Sequence, residues 1–399
     1  MNQSDRTKAE LTFPFNPPDC KHFTGYKPCF PYKNCFEECA DPAPRGTRVL
    51  LINLDAMGAV LQTTSLLPAI KRKYPGSSVS WLTLLNALPL LQNNPYLDRV
   101  YSWDPETWLV LQQMEFDLVL NADKTQRSAA LTMSLHAGEK LGFGLDQKGV
   151  IIPLNLESMY LYRLGIDDDL KFRKNMRTGQ EILAEAFKLP YERDECVLGL
   201  TDAELAYQEQ YRRENRLDDR KLVVGFNTGC STLYPNKKMT IEQHEALINR
   251  IGEIPDVKMI LLGGPEDTGR NAEIARRVGG KVLVTPTQEG TRRGMVYENV
   301  ADVVITGDSF GMHLAIALKK FVIAWFGLSC WTEIDLYDRG EKLYTADLFC
   351  APCWKKECPY NLECIQMIDL DRIVGCVGEY ASRRSSNVNG PDTRAAWLH

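Results

Sequence analysis

The feature that most constrains the fold is an alternation of short apolar runs and helical patterns, which occurs twice along the 399-residue chain. In the first series the apolar runs are 49–54, 79–84 and 116–122. The helical patterns between and after them are 59–73, 105–115 and 125–137. The apolar runs predict strands buried on both faces, so the series predicts a parallel sheet covered by helices. A charged stretch from about 165 to 220 follows the first series and marks a domain boundary.

The second series has the same layout, although no internal repeat can be aligned. Its strands are predicted at 222–229, 258–264, 281–285, 302–307 and 321–327. Its helices are predicted near 240–252, 266–277 and 309–318. We therefore expect an α/β protein with two doubly wound domains and a ligand cleft at the carboxyl ends of both sheets. The predicted order begins with a Cys-rich extension (1–47), an N-terminal domain (48–190) and a linker (191–220). A C-terminal domain (221–368), a helix (369–383) and a flexible tail (384–399) follow.

Composition excludes some classes of protein. The apolar content of 44% and charged content of 25% are those of an ordinary globular protein. The net charge of −5 offers no basic excess for broad nucleic-acid binding. The first 20 residues contain no apolar core of signal-peptide length, and no run of 18 apolar residues occurs anywhere, so we expect a cytoplasmic protein with at most peripheral membrane contact. In that reducing compartment the 12 cysteines are expected to bind metal or stay free rather than form disulfides.

Three loops at strand ends carry the chemistry. In the segment 303–327 the strand ends at Gly307, and Asp308, Ser309, Gly311, Met312 and His313 open a helix. The free N–H groups and positive dipole end of such a helix suit a diphosphate, although Asp308 or Ser309 could merely cap the helix.

The other two loops are similar in position. The segment 226–240 offers the hydroxyls of Thr228, Ser231 and Thr232, followed by Lys237 and Lys238. A lysine here could neutralise a diphosphate, or both lysines could lie on a solvated loop. The segment 261–271 has a turn with Gly264, and its acids Glu266 and Asp267 could accept from ribose hydroxyls or simply begin a helix.

Together with "INLDAMGAVLQTTSLLPAIKRKYP", these loops resemble the ADP-heptose:lipopolysaccharide heptosyltransferases of glycosyltransferase family 9, over roughly Arg48 to Val374. The resemblance implies the GT-B fold, in which two Rossmann-like domains face each other across a cleft. It also implies inverting transfer of heptose from ADP-heptose to a sugar hydroxyl, with no metal needed for the transfer. The C-terminal domain would hold the nucleotide sugar and the N-terminal domain the acceptor.

The resemblance assigns roles to residues of this chain. Lys237 matches the lysine that balances the diphosphate charge, and Asp308 matches the aspartate that opens the sugar-nucleotide helix, with Ser309, Gly311, Met312 and His313 lining the phosphate end. Glu266 is a ribose candidate, although either acid of the Glu266–Asp267 pair could match. Met57 and Gly58 fall on the acceptor side.

Position 59 departs from the family pattern. The family has aspartate there as the proposed general base, whereas this chain has Ala59, which cannot accept a proton. Loss of a general base costs ~10²–10⁴-fold in rate. Three explanations stay open: an engineered replacement of Asp by Ala, substitution by Asp55, or a natural binder without catalysis. We expect this chain to bind nucleotide sugar and to turn it over poorly.

Two cysteine clusters predict metal sites. Cys350, Cys353, Cys358 and Cys364 have the spacing C-x2-C-x4-C-x5-C, which suits a structural tetrahedral site. This segment resembles the cysteine tail of the bacterial autotransporter heptosyltransferases, which implies iron. Cys20, Cys29, Cys35 and Cys39 form a second candidate site. Ligand type alone leaves iron, zinc and an iron–sulfur cluster open.

Several features of the reaction stay open at this stage. The acceptor could be a lipopolysaccharide core sugar or a surface protein, which is the runner-up interpretation. Neither the sugar nor the nucleobase is fixed by the residues themselves. The Cys-rich extensions at both ends could mediate self-association into a homo-oligomer. An enzyme of lipopolysaccharide assembly would work at the inner face of the cytoplasmic membrane.

Overall fold

The computed structural model describes residues 15–31, 34, 35, 39, 42–54, 56–217 and 221–387. Asp55, which was predicted as a substitute base, lies outside the described residues, as do 388–399 of the expected tail. Within the described part of the chain no helix is both long enough and apolar enough to cross a membrane.

The first lobe is a six-stranded sheet with helices on both faces. Its elements are β1 (Arg48–Ile52), α1 (Met57–Thr63), α2 (Leu66–Lys73), β2 (Ser78–Thr83), α3 (Leu88–Leu91), β3 (Arg99–Ser102), α4 (Pro105–Gln113), β4 (Glu115–Asn121), α5 (Gln126–Ser134), β5 (His136–Leu145), β6 (Ile151–Pro153), α6 (Met159–Arg163) and α7 (Gly179–Ala186). The strand order is β3-β2-β1-β4-β5-β6. All neighbours pair in parallel except β5 and β6, which are antiparallel.

The second lobe follows a helix in the connecting segment. The elements are α8 (Asp202–Glu214), β7 (Leu222–Asn227), α9 (Ile241–Ile251), β8 (Val257–Leu262), α10 (Thr268–Arg277), β9 (Val282–Val284), α11 (Gly290–Asn299), β10 (Val303–Gly307), α12 (Phe310–Ala317), β11 (Phe321–Phe326), β12 (Gly340–Tyr344), α13 (Glu363–Gln366) and α14 (Leu370–Asn387). The strand order is β12-β11-β10-β7-β8-β9. From the opposite edge it is β9-β8-β7-β10-β11-β12, which is the order of the first sheet when the strands are counted within each lobe. Each lobe thus has the strand order of the dinucleotide-binding fold, and the expectation of two doubly wound lobes is confirmed.

Local chemistry sets the element boundaries. The central strands are buried on both faces, as β1 and β7 show, which explains their unbroken apolar runs. The α9 helix begins at a capping box in which Thr240 and Gln243 satisfy each other's backbone N–H groups. This cap fixes the end of the loop that carries Lys237.

The helix predicted over 59–73 is two helices in the structure. The Thr64 hydroxyl donates to the Leu61 carbonyl at 2.6 Å, and the Ser65 hydroxyl donates to the Gln62 carbonyl at 2.8 Å. Hydroxyls that bond to local carbonyls compete with the helical pattern, and here they coincide with the break between α1 and α2.

The two lobes share a hydrophobic contact surface. Helix α1 packs against α12, and Leu314 and Ala317 of α12 are buried in the core cluster of the first lobe. Arg292 of α11 adds a polar tie, since it donates to the Glu204 carboxylate and to the carbonyls of Pro89 and Gly199. The lobes are therefore held together beside the cleft.

Some elements were not predicted. Strand β5 is mostly polar in its first half, so it lacks the buried apolar run that marked its neighbours. The connecting segment also contains α8, which packs against α11. The C-terminal helix is present as α14, whose Ile373 and Val377 are buried in the core of the second lobe.

Candidate active site

A cavity of about 840 Å³ lies between the lobes at the carboxyl ends of the central strands. The first lobe contributes Met57, Gly58, Ala59 and Gln62 from α1. The second lobe contributes the three loops that the sequence singled out, and its lining residues include Ser231, Thr232, Lys237, Gly264, Glu266, Asp308, Ser309, Gly311 and His313. The structure thus brings most of the predicted site residues to one place.

A buried ion pair lies at the tip of α12. The Lys237 Nζ is 2.6 Å from Asp308 Oδ2, and the two side chains are only 13% and 12% exposed. Burial opposes ionisation of Asp308, but the Lys237 ammonium holds the pKa of this carboxyl below its usual range. The carboxylate is therefore charged at neutral pH, and it holds Lys237 beside the N-terminus of α12.

Backbone geometry at this helix tip is fixed by Asn227, the last residue of β7. Its Nδ2 donates to the Ser309 hydroxyl at 2.9 Å and to the Thr306 hydroxyl at 3.2 Å. A β-carbon at Gly311 would lie 1.7 Å from the same nitrogen. Residue 311 must therefore be glycine for the amide to reach both hydroxyls.

His313 joins this tip to the first lobe. A β-carbon on Gly58 would lie 2.4 Å from His313 Cδ2, so the glycine lets α1 approach α12 closely. Burial lowers the pKa of His313 despite the opposing effect of Asp308. We therefore expect a neutral imidazole at this end of the cavity.

The two acids of the 261–271 turn have different surroundings. The side chain of Asp267 is buried, and its Oδ2 accepts a hydrogen bond from the Gly264 N–H at 3.0 Å. Burial also raises the pKa of Asp267. Glu266 is exposed and lines the cavity. Asp267 lines the cavity as well, and Glu266 is the more exposed of the two acids.

Two of the predicted residues do not line the cavity. The Thr228 hydroxyl is buried and donates to Asn271 Oδ1 at 2.5 Å. Met312 is fully buried in the core between α12 and the sheet. Their side chains pack behind the residues that line the cavity and support those residues.

Sequence reasoning missed Glu333, Trp354 and Gln62, which also line the cavity. The Trp354 ring lies 4.5 Å from Lys237 Nζ, and Gln62 Nε2 is 3.4 Å from the Glu333 carbonyl oxygen. Gln62 lies within the first quoted motif, one helical turn after Ala59, and Trp354 lies within the cysteine segment, whereas Glu333 belongs to no motif.

The C-terminal cysteines form a loop beside the cavity. The N–H groups of Cys353 and Trp354 both donate to the Leu328 carbonyl, at 3.0 and 2.9 Å. Burial, together with the thiols of Cys353, Cys358 and Cys350, raises the pKa of the Cys364 thiol to about 11. These thiols are close enough to interact electrostatically. Across the described residues, however, no three His, Cys, Asp or Glu side chains are arranged to hold a metal ion.

The N-terminal cysteines lie outside the helices and strands of the described residues. Cys20, Cys35 and Cys39 are half-buried and Cys29 is exposed. This segment is attached to the first lobe through Lys21, whose Nζ is 2.6 Å from Asp98 Oδ1. The four thiols are free in the structure.

The cavity combines features that suit an anionic ligand with several hydroxyls. A helix N-terminus and a lysine converge at one end, and exposed hydroxyls and Glu266 lie along the wall. Such a helix end favours phosphate because its N–H groups have no partners within the helix. The first lobe faces this end with Ala59, which has no acid–base function.

Comparisons with known proteins agree with this description. The model of glycosyltransferase family 9 (heptosyltransferase) matches residues 107–363. The chain is 22% identical over 289 residues to the lipopolysaccharide core heptosyltransferase OpsX of Haemophilus influenzae, which covers 69% of this chain and 78% of that protein.

Two solved structures share the architecture. The E. coli ADP-heptose lipopolysaccharide heptosyltransferase II is 15% identical with a TM-score of 0.62, over 85% of this chain and 100% of that one. The iron-containing dodecameric heptosyltransferase TibC of E. coli, in complex with ADP-D-β-D-heptose, is 11% identical with a TM-score of 0.51, over 85% of this chain and 77% of that one. The expected GT-B fold is thereby confirmed, and the chain belongs to glycosyltransferase family 9, the heptosyltransferases.

Proposed function

We propose that this chain transfers heptose from ADP-heptose to a hydroxyl of a lipopolysaccharide core sugar, with inversion at the anomeric carbon. The observation that carries the proposal is the Lys237–Asp308 pair at the tip of α12, 2.6 Å apart and facing the cavity. The names of OpsX and heptosyltransferase II support heptose as the sugar and lipopolysaccharide as the acceptor.

Each end of the cavity has a part in this reaction. The diphosphate of the donor would lie at the N-terminus of α12, where Lys237 offsets the charge that develops on the leaving ADP. Glu266 would accept from the ribose hydroxyls. The acceptor hydroxyl would approach from α1 of the first lobe, beside Met57 and Gly58. The transfer itself needs no metal ion in this proposal.

One observation favours a second candidate. Ala59 leaves the acceptor side of the cavity without the carboxylate that family members have, which is what a binder of nucleotide sugars without catalysis would show. Turnover by the unaltered chain separates the two candidates, because a binder would hold the donor without consuming it.

The first experiment is titration calorimetry of the full chain with ADP and ADP-heptose, beside UDP and GDP. We expect ADP to bind, and Lys237→Ala to weaken it by about tenfold or more, since it removes a charge-assisted contact worth about 1.5–3 kcal/mol. Lys238→Ala is the matched control, because its side chain does not line the cavity. Equal effects of the two variants, or no affinity for any nucleotide, would contradict the donor site.

The second experiment identifies the acceptor. ADP release from ADP-heptose is followed with purified lipopolysaccharide cores that lack heptose, and separately with a serine-rich surface protein. Transfer to the core supports the proposal. Transfer to the protein alone would replace the proposed acceptor by the runner-up.

We also propose a structural iron or zinc ion on Cys350, Cys353, Cys358 and Cys364. The support is the mutual proximity of these thiols, the suitability of four thiolates for either metal and the iron content of TibC. Bound metal would fix the loop that carries Trp354, with no part in the transfer. A second site on Cys20, Cys29, Cys35 and Cys39 has support from the sequence alone.

A further inference from the structure

We propose that Glu333 is the general base of this enzyme, in place of the carboxylate that is missing at position 59. The inference rests on the proposed function, because it assigns the group that accepts the acceptor proton in that transfer. It is a role for a residue on the second lobe, whereas the family pattern puts the base on the first.

Glu333 lies next to the helix that carries Ala59. It ends a short 3₁₀ turn, Trp331–Glu333, that follows β11, and it lines the same cavity as Ala59 and Asp308. Its carbonyl oxygen is 3.4 Å from Nε2 of Gln62, which is one turn further along α1 than Ala59. The backbone of residue 333 therefore contacts α1 one turn from Ala59, and the Glu333 side chain lies within the electrostatic reach of Lys171 and Lys124 of the first lobe.

The Glu333 carboxylate is free to accept a proton. It makes no hydrogen bond or ion pair with any residue that the structure describes. The charged groups that act on it are Lys171 and Lys124 of the first lobe and Asp308 of the second. It also acts in turn on the neighbouring Cys330 thiol.

The other acids that line the cavity have different surroundings. Among the described residues these acids are Glu266, Asp267, Glu298 and Asp308. Asp308 is paired with Lys237, and Asp267 accepts from the backbone of its own turn. Glu298 is buried, which raises its pKa well above the usual value. Glu266 is on the turn assigned to the ribose, which leaves Glu333 for the acceptor.

The electrostatic surroundings suit a base. Burial raises the pKa of Glu333 and so does Asp308, while Lys171 and Lys124 oppose them. A carboxylate whose pKa lies above its usual value is a stronger base and is closer to the working pH.

The proton and charge balance of the step is simple. The acceptor oxygen forms a bond to the anomeric carbon as its proton passes to a carboxylate oxygen of Glu333. The bond from the anomeric carbon to the β-phosphate oxygen breaks, and its electron pair leaves with ADP, beside Lys237. No oxidation or reduction takes place, and the Glu333 carboxyl later returns its proton to solvent.

The test is Glu333→Gln in the full chain, with kcat measured by ADP release and donor affinity measured by calorimetry. We expect kcat to fall by ~10²–10⁴-fold, as for loss of a general base, with ADP affinity unchanged. The rate of the unaltered chain should fall at acid pH as Glu333 becomes protonated, and the variant should lack this acid limb. Glu245→Gln, outside the cavity and paired with Arg277, is the matched control.

A rescue variant tests whether the Glu333 carboxylate and a carboxylate at position 59 act on the same acceptor hydroxyl. If the two side chains serve one acceptor hydroxyl, Ala59→Asp should recover much of the lost kcat in the Glu333→Gln background. ADP affinity and thermal unfolding confirm folding of each variant. Should Glu333→Gln not fold, Glu333→Asp takes its place, with a lower kcat and an intact acid limb expected.

The outcomes separate this inference from the proposed function. Full activity and an intact acid limb in folded Glu333→Gln would overturn the base assignment and leave the transfer reaction standing. ADP binding without turnover by the unaltered chain, followed by activity in Ala59→Asp, would also overturn it, since no base would then have been present. Failure to bind any nucleotide would refute both.

Discussion

Gly58 of α1 and His313 of α12 meet across the boundary between the lobes, so closely that a β-carbon on residue 58 would lie 2.4 Å from the imidazole. Both residues line the cavity, so the contact sets the distance between the proposed acceptor side and the proposed donor side. A change here should therefore alter stability and transfer together.

We expect Gly58→Ala to lower the free energy of unfolding by about 1–3 kcal/mol, because the added methyl group overpacks a buried contact. Urea denaturation measures this effect. The double variant Gly58→Ala/His313→Ala should recover part of the loss, since contacting residues are not additive. A double variant that loses the sum of the two single effects would contradict direct contact.

The ribose assignment distinguishes two adjacent acids. Glu266→Ala should weaken ADP by about tenfold through loss of a charge-assisted hydrogen bond, and it should weaken 2′-deoxy-ADP less. Asp267→Asn is the control, because it keeps an oxygen that can accept from the Gly264 N–H. Calorimetry with both nucleotides is the measurement, and a larger effect at Asp267 would transfer the ribose role to that residue.

The salt bridge between Glu204 of α8 and Arg292 of α11 should make the free energy of unfolding depend on pH. The hydrogen bond from Arg292 lowers the pKa of Glu204 to about 2, despite partial burial. The unfolded value is about 4.3, so this contribution is present in full above that pH and is lost as pH falls toward 2. We expect Glu204→Gln to cost on the order of 2 kcal/mol at pH 7 and less at pH 4, in denaturation curves. Glu209→Gln, exposed on the same helix, should cost little at either pH.

The proposed metal site on the C-terminal cysteines is tested by measuring the metal content of cysteine variants. Cys353→Ser should lower the metal content of fresh protein and weaken ADP, because residue 353 and Trp354 are anchored side by side to the Leu328 carbonyl. Cys196→Ala, a buried thiol in the core of the first lobe, should leave the metal content unchanged. Elemental analysis and an absorption spectrum are the measurements. Folded, metal-free protein with full ADP affinity would contradict the proposed site.

The fold could largely be predicted because its central strands are buried on both faces, which leaves an unbroken apolar run in the sequence. Strand β5 escaped prediction because its first half is exposed and polar. The break after α1 escaped because Thr64 and Ser65 bond to carbonyls within the same apolar pattern. These boundaries depend on individual hydrogen bonds rather than on periodicity.

The site was less predictable than the fold. Loops at strand ends identified Lys237 and Asp308, since the topology brings such loops to one edge of the sheet. Sequence could not show that the Thr228 hydroxyl is directed to Asn271, away from the cavity. Nor could it show Glu333, an isolated acid whose surroundings come from the other lobe.

The contact between Asn227 and Gly311 has a consequence for sequence variation in this family. One amide fills the space that any side chain at 311 would need, although the two residues belong to different elements, β7 and α12. A relative with alanine or serine at the second position must have a shorter residue at the first. The two positions should accordingly covary, and a homologue that retained asparagine beside a bulkier partner would need a different backbone at the N-terminus of α12.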